Sequence, residues 1–163
     1  PNFHALQLIA EIALGILGFS AILIGLSRKS DGFSAPDNFR IQLLSYSSIG
    51  AMFCALIPFA VFGNIYNETS WLIVNWILCL YSVLGLSIFP KRVINLRMQG
   101  HSNLFPLPLF IIQMGVLAVN FLISGLMILD FIEAKENFYV FCLMLILIQG
   151  SIAFVRTIFY RAQ

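Results

Sequence analysis

Residues 5–26 read ALQLIAEIALGILGFSAILIGL, an apolar run interrupted by one charged side chain, Glu11. About twenty predominantly apolar residues cross the hydrocarbon core of a bilayer as a helix, so this stretch reads as a membrane span. On a helix, His4, Gln7, Gly15, Gly18 and Gly25 fall within about 40° of Glu11, so polar groups and bare backbone share one stripe. A charge held in hydrocarbon costs roughly 2.5–3.5 kcal/mol on the mildest scale. The stripe is therefore expected to face protein or water rather than lipid, with Glu11 either protonated and donating or ionised and paired, His4 being the nearest local partner.

The composition extends this reading to the whole chain. Of 163 residues 60% are hydrophobic and 10% charged, with a mean hydropathy of +0.95, whereas about a quarter of the residues of soluble domains are charged. Five segments are long and apolar enough to span, 5–26, 41–63, 71–89, 106–129 and 138–159, and the short links between them hold no core of their own. The expected fold is an all-α integral membrane bundle of five transmembrane helices forming a single domain, residues 1–163. A four-span arrangement with a re-entrant third segment is the alternative.

Punctuation residues set the expected ends. Ser34-Ala-Pro36-Asp37 has the order of a helix start, with an N-cap hydroxyl, an early proline and an acidic residue three positions on. Pro90 is expected to stop the third span, and Pro106 with Pro108 to open the fourth. Pro58 deprives the Cys54 carbonyl of its helical partner, which points to a kink, a hinge or a free cation-coordinating oxygen. The first span has no basic segment ahead of it and does not read as a cleavable signal peptide.

Basic residues orient the bundle. Arg28, Lys29 and Arg40, Lys91, Arg92 and Arg97, and Arg156 and Arg161 fall on one side, against Lys135 on the other. The positive-inside rule then places the N-terminus outside and the C-terminus in the cytoplasm. Trp71, Trp76 and Tyr139, near the outer ends of their spans, suit either an interfacial aromatic belt or core and lipid-facing positions. Residues 93–99, flanked by Lys91 and Arg92, read as an amphipathic piece suited to anionic headgroups. Asn67-Glu68-Thr69 matches a glycosylation sequon, a pattern that chance supplies often.

Polar residues inside the spans order themselves by depth. Glu11 and Asn75 fall in the outer third, Asn120 and Gln149 near the midplane, and Gln113 and Arg156 towards the cytoplasm. Such a column suits an ion or proton pathway, with Glu11 binding the cation, Asn75, Asn120, Gln149 and Gln113 lining the path, and Arg156 setting the inner boundary. The same amides also serve as interhelical glue at about 0.6–2 kcal/mol each, and Arg156 can snorkel to the interface. Gly15, Gly18 and Gly25, with Ser48, Ala51 and Ala55, are spaced for close helix packing.

Other chemistry is not signalled. Cys54, Cys79 and Cys142 lie in apolar runs and read as small buried side chains, and no CxxC or His/Cys cluster points to a metal or cofactor. No nucleophile elbow, HExxH or phosphate-cradling loop points to an enzyme, and no basic patch with interleaved aromatics points to nucleic acid. Partners are expected in the bilayer, namely lipid and either further copies of the chain or another membrane protein. The expected function is an oligomeric conduit for ions, protons or small solutes, the alternative a non-transporting accessory subunit of a larger membrane complex.

The run Gly18-Phe-Ser-Ala-Ile-Leu-Ile-Gly-Leu-Ser-Arg28, with Asp37-Asn-Phe-Arg40 and Ala55-Leu-Ile-Pro58, resembles a pattern in small uncharacterised bacterial multi-span membrane proteins. It covers about the first third of the chain. The resemblance implies a bacterial inner membrane and carries over no activity and no site residue.

Overall fold

A computed structural model describes residues 1–26, 34–63, 68–101 and 107–159. They form α1 (Phe3–Leu26), α2 (Ala35–Val61), α3 (Glu68–Leu96), α4 (Leu107–Ile128) and α5 (Lys135–Phe159), with a π-helical turn, Arg97–His101, after α3. All five helices are long and apolar enough to cross a membrane. Arg28, Lys29, Asn67, Pro106 and Arg161 lie outside the described residues.

Helices α2, α3, α4 and α5 close a four-membered ring, each packed on the next, and α1 lies outside it against α2 and α5. Successive helices run antiparallel. Phe3 of α1 meets Phe59 of α2 with ring centroids 4.8 Å apart, and Phe19 meets Phe154 of α5 at 6.4 Å.

The start of α2 forms as its sequence implies. The Ser34 hydroxyl accepts from the Asp37 N–H at 3.3 Å and donates to the Asp37 carboxylate at 2.6 Å, satisfying groups that the first turn leaves open. The helix nevertheless begins well before residue 41, because Phe39 and Arg40 are buried. Arg40 is therefore part of the bundle rather than of a link, with Nη1 3.6 Å from the Asp37 carboxylate.

Pro58 loses one of its alternatives, and Pro90 departs from expectation. At Pro58 the Cys54 carbonyl accepts the Tyr139 hydroxyl at 2.6 Å, so α5 supplies the bond the proline withholds and the oxygen is not free for a cation. Pro90 does not end α3, which continues to Leu96. Phe89, Val93 and Leu96 bury themselves against Phe39 and Leu43 of α2, and this packing outweighs one missing hydrogen bond. Residues 93–96 thus continue α3, with Val93 and Leu96 buried and Ile94 and Asn95 exposed. The helix rises about 43 Å at 1.5 Å per residue, more than the roughly 30 Å hydrocarbon core. It turns off at Gly100, whose φ of 92° only glycine adopts without strain.

The interior divides into two apolar cores. One, towards the Phe3 end, gathers Leu6, Ala10 and Ala13 of α1 with Cys54, Leu78, Met127, Leu143 and Ile146. The other, towards the Leu96 end, gathers Phe39, Leu44, Phe89, Val93, Leu117 and Ala153. Trp71 joins the first core through Phe62 at 4.7 Å and Tyr139 at 6.1 Å, leaving Trp76 as the exposed member of the aromatic trio.

Candidate functional site

Between the two cores every ring helix contributes a polar or bare position. These are Ser47 and Ser48 on α2, Ser82 and Gly85 on α3, Asn120 and Ser124 on α4, and Gln149 and Gly150 on α5, all buried. Close contacts put them at one height. A Cβ on Gly150 would lie 3.3 Å from the Ser47 Cβ and 3.5 Å from the Ser48 hydroxyl, and one on Gly85 would lie 2.8 Å from Leu117. Three residues further along antiparallel α3 and α4 from that contact stand Ser82 and Asn120. Tyr46 and Tyr81 brace the same level, stacked at 4.5 Å with each hydroxyl donating to the other's backbone carbonyl.

Ser47, Ser82 and Ser124 satisfy themselves within their own helices, and Ser48 and the amides do not. Ser47 donates to the Leu43 carbonyl at 2.9 Å and Ser82 to Leu78 at 3.0 Å. Asn120 donates to Val116 at 3.0 Å, which leaves its Oδ1 without a partner. Both polar atoms of Gln149, both of Asn75, Nε2 of Gln113 and the Ser48 hydroxyl are likewise buried without a hydrogen-bond partner among the described residues. In a bilayer no water reaches such groups from the lipid side, and each costs several kcal/mol. Asn75 stands two turns from Ser82 towards the Glu68 end and Gln113 two turns from Asn120 towards the Leu107 end. The amide ladder therefore rises about 21 Å at 1.5 Å per residue.

Glu11 does not stand on this ladder. Eight residues from the Phe3–Phe59 contact, it is level with Ala51, about one turn from Ser48, and is the ninth of the 24 residues of α1. Its side chain points out of the bundle. It accepts from Gln7 Nε2 at 2.9 Å, and His4, Gln7, Gly15, Gly18 and Gly25 are exposed beside it. A Cβ added at any of the three glycines meets nothing within 4 Å. The opposite face of α1, Leu6, Ile9, Ala10 and Ala13, is the one that packs.

The structure thus gathers Asn75, Asn120, Gln149 and Gln113 inside the ring and sets Glu11 outside it, with the body of α1 between. Arg156 is half-buried in the last turn of α5, where a cation complements the helix dipole. Of the six packing positions, Ser48, Ala51 and Ala55 are buried within the bundle and the three glycines of α1 are not. The described residues contain no group of His, Cys, Asp or Glu suited to a metal.

Sequence reasoning did not anticipate the Tyr46–Tyr81 brace, or a cleft of about 310 Å³ where the start of α2 faces the end of α3. Asn38, Gln42, Arg92, Asn95 and Gln99 line that cleft over a floor of Phe39 and Leu96. Its signal was the four-residue spacing of the two α2 amides and of the two beyond Pro90, visible once α3 is known to continue. Comparison of the chain with protein-family models, with curated proteins and with solved structures finds no match to any of them.

Proposed function

We propose that the protein works as a subunit of a membrane assembly, docking the polar face of α1 against another membrane helix. The observation that carries this reading is Glu11, a carboxyl group more than two turns into α1 that faces out of the protomer and, among the described residues, is bonded only to Gln7. Facing lipid, it would bear the cost of a polar group in hydrocarbon. A docked helix removes that cost, and Gly15, Gly18 and Gly25 leave room for a close backbone approach. By contrast, α4 presents Leu107, Ile111, Ile112, Leu122 and Leu126, a wholly apolar face suited to lipid. The gathering of Arg40, Lys91, Arg92, Arg97 and Arg156 at the Leu96 end supports placing that end in the cytoplasm, and the resemblance in the first third supports a bacterial inner membrane.

Lipid-phase labelling tests the docking. With the full chain in its membrane, Leu14→Cys on α1 should be protected from a hydrophobic thiol reagent that modifies Leu122→Cys on α4. Equal labelling of the two would end this reading.

The unpartnered amides favour a second reading, passage of a small polar solute or monovalent ion along Asn75, Asn120, Gln149 and Gln113. Glu11 is not part of that path, because α1 separates it from the ladder. Proteoliposome flux of protons, sodium, potassium and glycerol tests it. The parent should pass one of these and Gln149→Met should pass it at least tenfold more slowly; an unchanged rate would remove the ladder from the path.

A further inference from the structure

The exposed face of α1 has a stricter repeat than its polarity alone suggests. His4, Glu11, Gly18 and Gly25 follow one another at intervals of seven, and Gln7, Leu14 and Ala21 repeat at seven between them. All seven residues are exposed in the protomer. These are the a and d positions of a two-stranded seam, in which a repeat of 3.5 residues holds one face against a partner helix over several turns. The buried face of α1 is displaced from it, running through Leu6, Ile9, Ala13 and Ser20. One helix therefore carries two seams, and the protomer uses one.

Hydrogen bonding on the open seam is complementary to itself. Gln7 Nε2 has two N–H groups and gives one to Glu11 Oε1 of its own chain at 2.9 Å. The second N–H and the second carboxyl oxygen remain, a donor and an acceptor one turn apart on the same face. Copies inserted in one bilayer with the same topology relate by a twofold axis along the membrane normal, so the two α1 helices run parallel and in register. Each amide then meets the other copy's carboxyl group, giving two reciprocal bonds, as an isologous interface requires. A polar residue at a single a position is also the usual device for setting register and strand number. Gly18 and Gly25 occupy the next two a positions, where no side chain holds the backbones apart.

Resting on the docking reading above, we propose that the helix α1 meets is α1 of a second copy, in a parallel left-handed pair with Gln7 and Glu11 bonded reciprocally across the seam.

Oxidative cross-linking of the full chain in its membrane tests this. Cys54, Cys79 and Cys142 are buried, so the parent gives no background disulfide between copies. Leu14→Cys and Ala21→Cys, on the seam, should form a dimer of twice 18.3 kDa, whereas Ile12→Cys and Phe19→Cys, exposed but off it, should not. Gly18→Leu in the Leu14→Cys background should lower the dimer yield at least tenfold without lowering the melting temperature, because a Cβ at Gly18 meets nothing within 4 Å in the protomer. Glu11→Gln, which keeps a donor and an acceptor, should retain the dimer. Cross-linking of both seam positions to a product of another mass would overturn the self-pairing while leaving α1 a docking helix. Equal yields on and off the seam would overturn the pairing geometry. Absence of any cross-link, with Leu14→Cys open to lipid-phase reagent, would overturn both this proposal and the docking reading.

Discussion

Pro58 has no N–H to give the Cys54 carbonyl one turn earlier, and in the bilayer no water stands in for it. The Tyr139 hydroxyl does so from α5. Tyr139→Phe should therefore lower stability by about 1–3 kcal/mol, the cost of an orphaned buried acceptor. Restoring the N–H with Pro58→Ala should recover much of that loss in the double variant while doing less in the parent, a coupling that thermal or denaturant melting in detergent reads directly. Gly50 makes a harsher point. A Cβ there would overlap the Tyr81 ring, itself held by the stack with Tyr46. Gly50→Ala should cost about 1–3 kcal/mol from overpacking, whereas Gly15→Ala, in open space, should be tolerated by the isolated protomer. Pro58 and Glu11 are conspicuous in the chain; the hydroxyl that answers Pro58 is not, since Tyr139 lies 85 positions away.

At the scale of elements, α3 shows why punctuation is a weaker signal than packing. Pro90 removes one hydrogen bond, but the turns beyond it bury Val93 and Leu96 against Phe39, and Phe89 meets the Tyr46 ring at 4.9 Å. Val93→Asp should accordingly destabilise the whole protein by at least about 3 kcal/mol, since it buries an unpaired charge. A surface-lying amphipathic segment would not respond in that way, and melting of the variant distinguishes the two. The cap of α2 is local and was legible from Ser34 and Asp37 alone. Ser34→Ala should cost about 1 kcal/mol.

At the scale of the molecule, the polar layer between the two cores decides how the bundle tolerates substitution. Gln149 is buried with neither polar atom bonded to a described residue. Replacing it by an apolar side chain of similar length removes a desolvated amide and leaves the packing volume in place. Gln149→Met should leave the melting temperature unchanged or raise it, and should lower flux only if the ladder carries a solute. One variant thus reads the two roles of the amide separately.

The five spans, their number and the polar stripes on them follow from the chain alone, because hydrocarbon thickness and the 3.6-residue period leave few ways to read such runs. The four interior amides were also legible, since a carboxamide in a span is costly wherever it faces lipid. The sequence did not determine which of α1's two seven-residue stripes turns inward. Leu6, Ala13 and Ser20 form one and Glu11, Gly18 and Gly25 the other, and both are regular enough to pack. Tertiary structure made that choice, because the groove between α2 and α5 is lined by small and apolar side chains such as Ala51, Ala55 and Cys142 and accepts Leu6, Ala10 and Ala13 without stranding a carboxyl group in a dry core. The carboxyl group was left on the exposed face of α1.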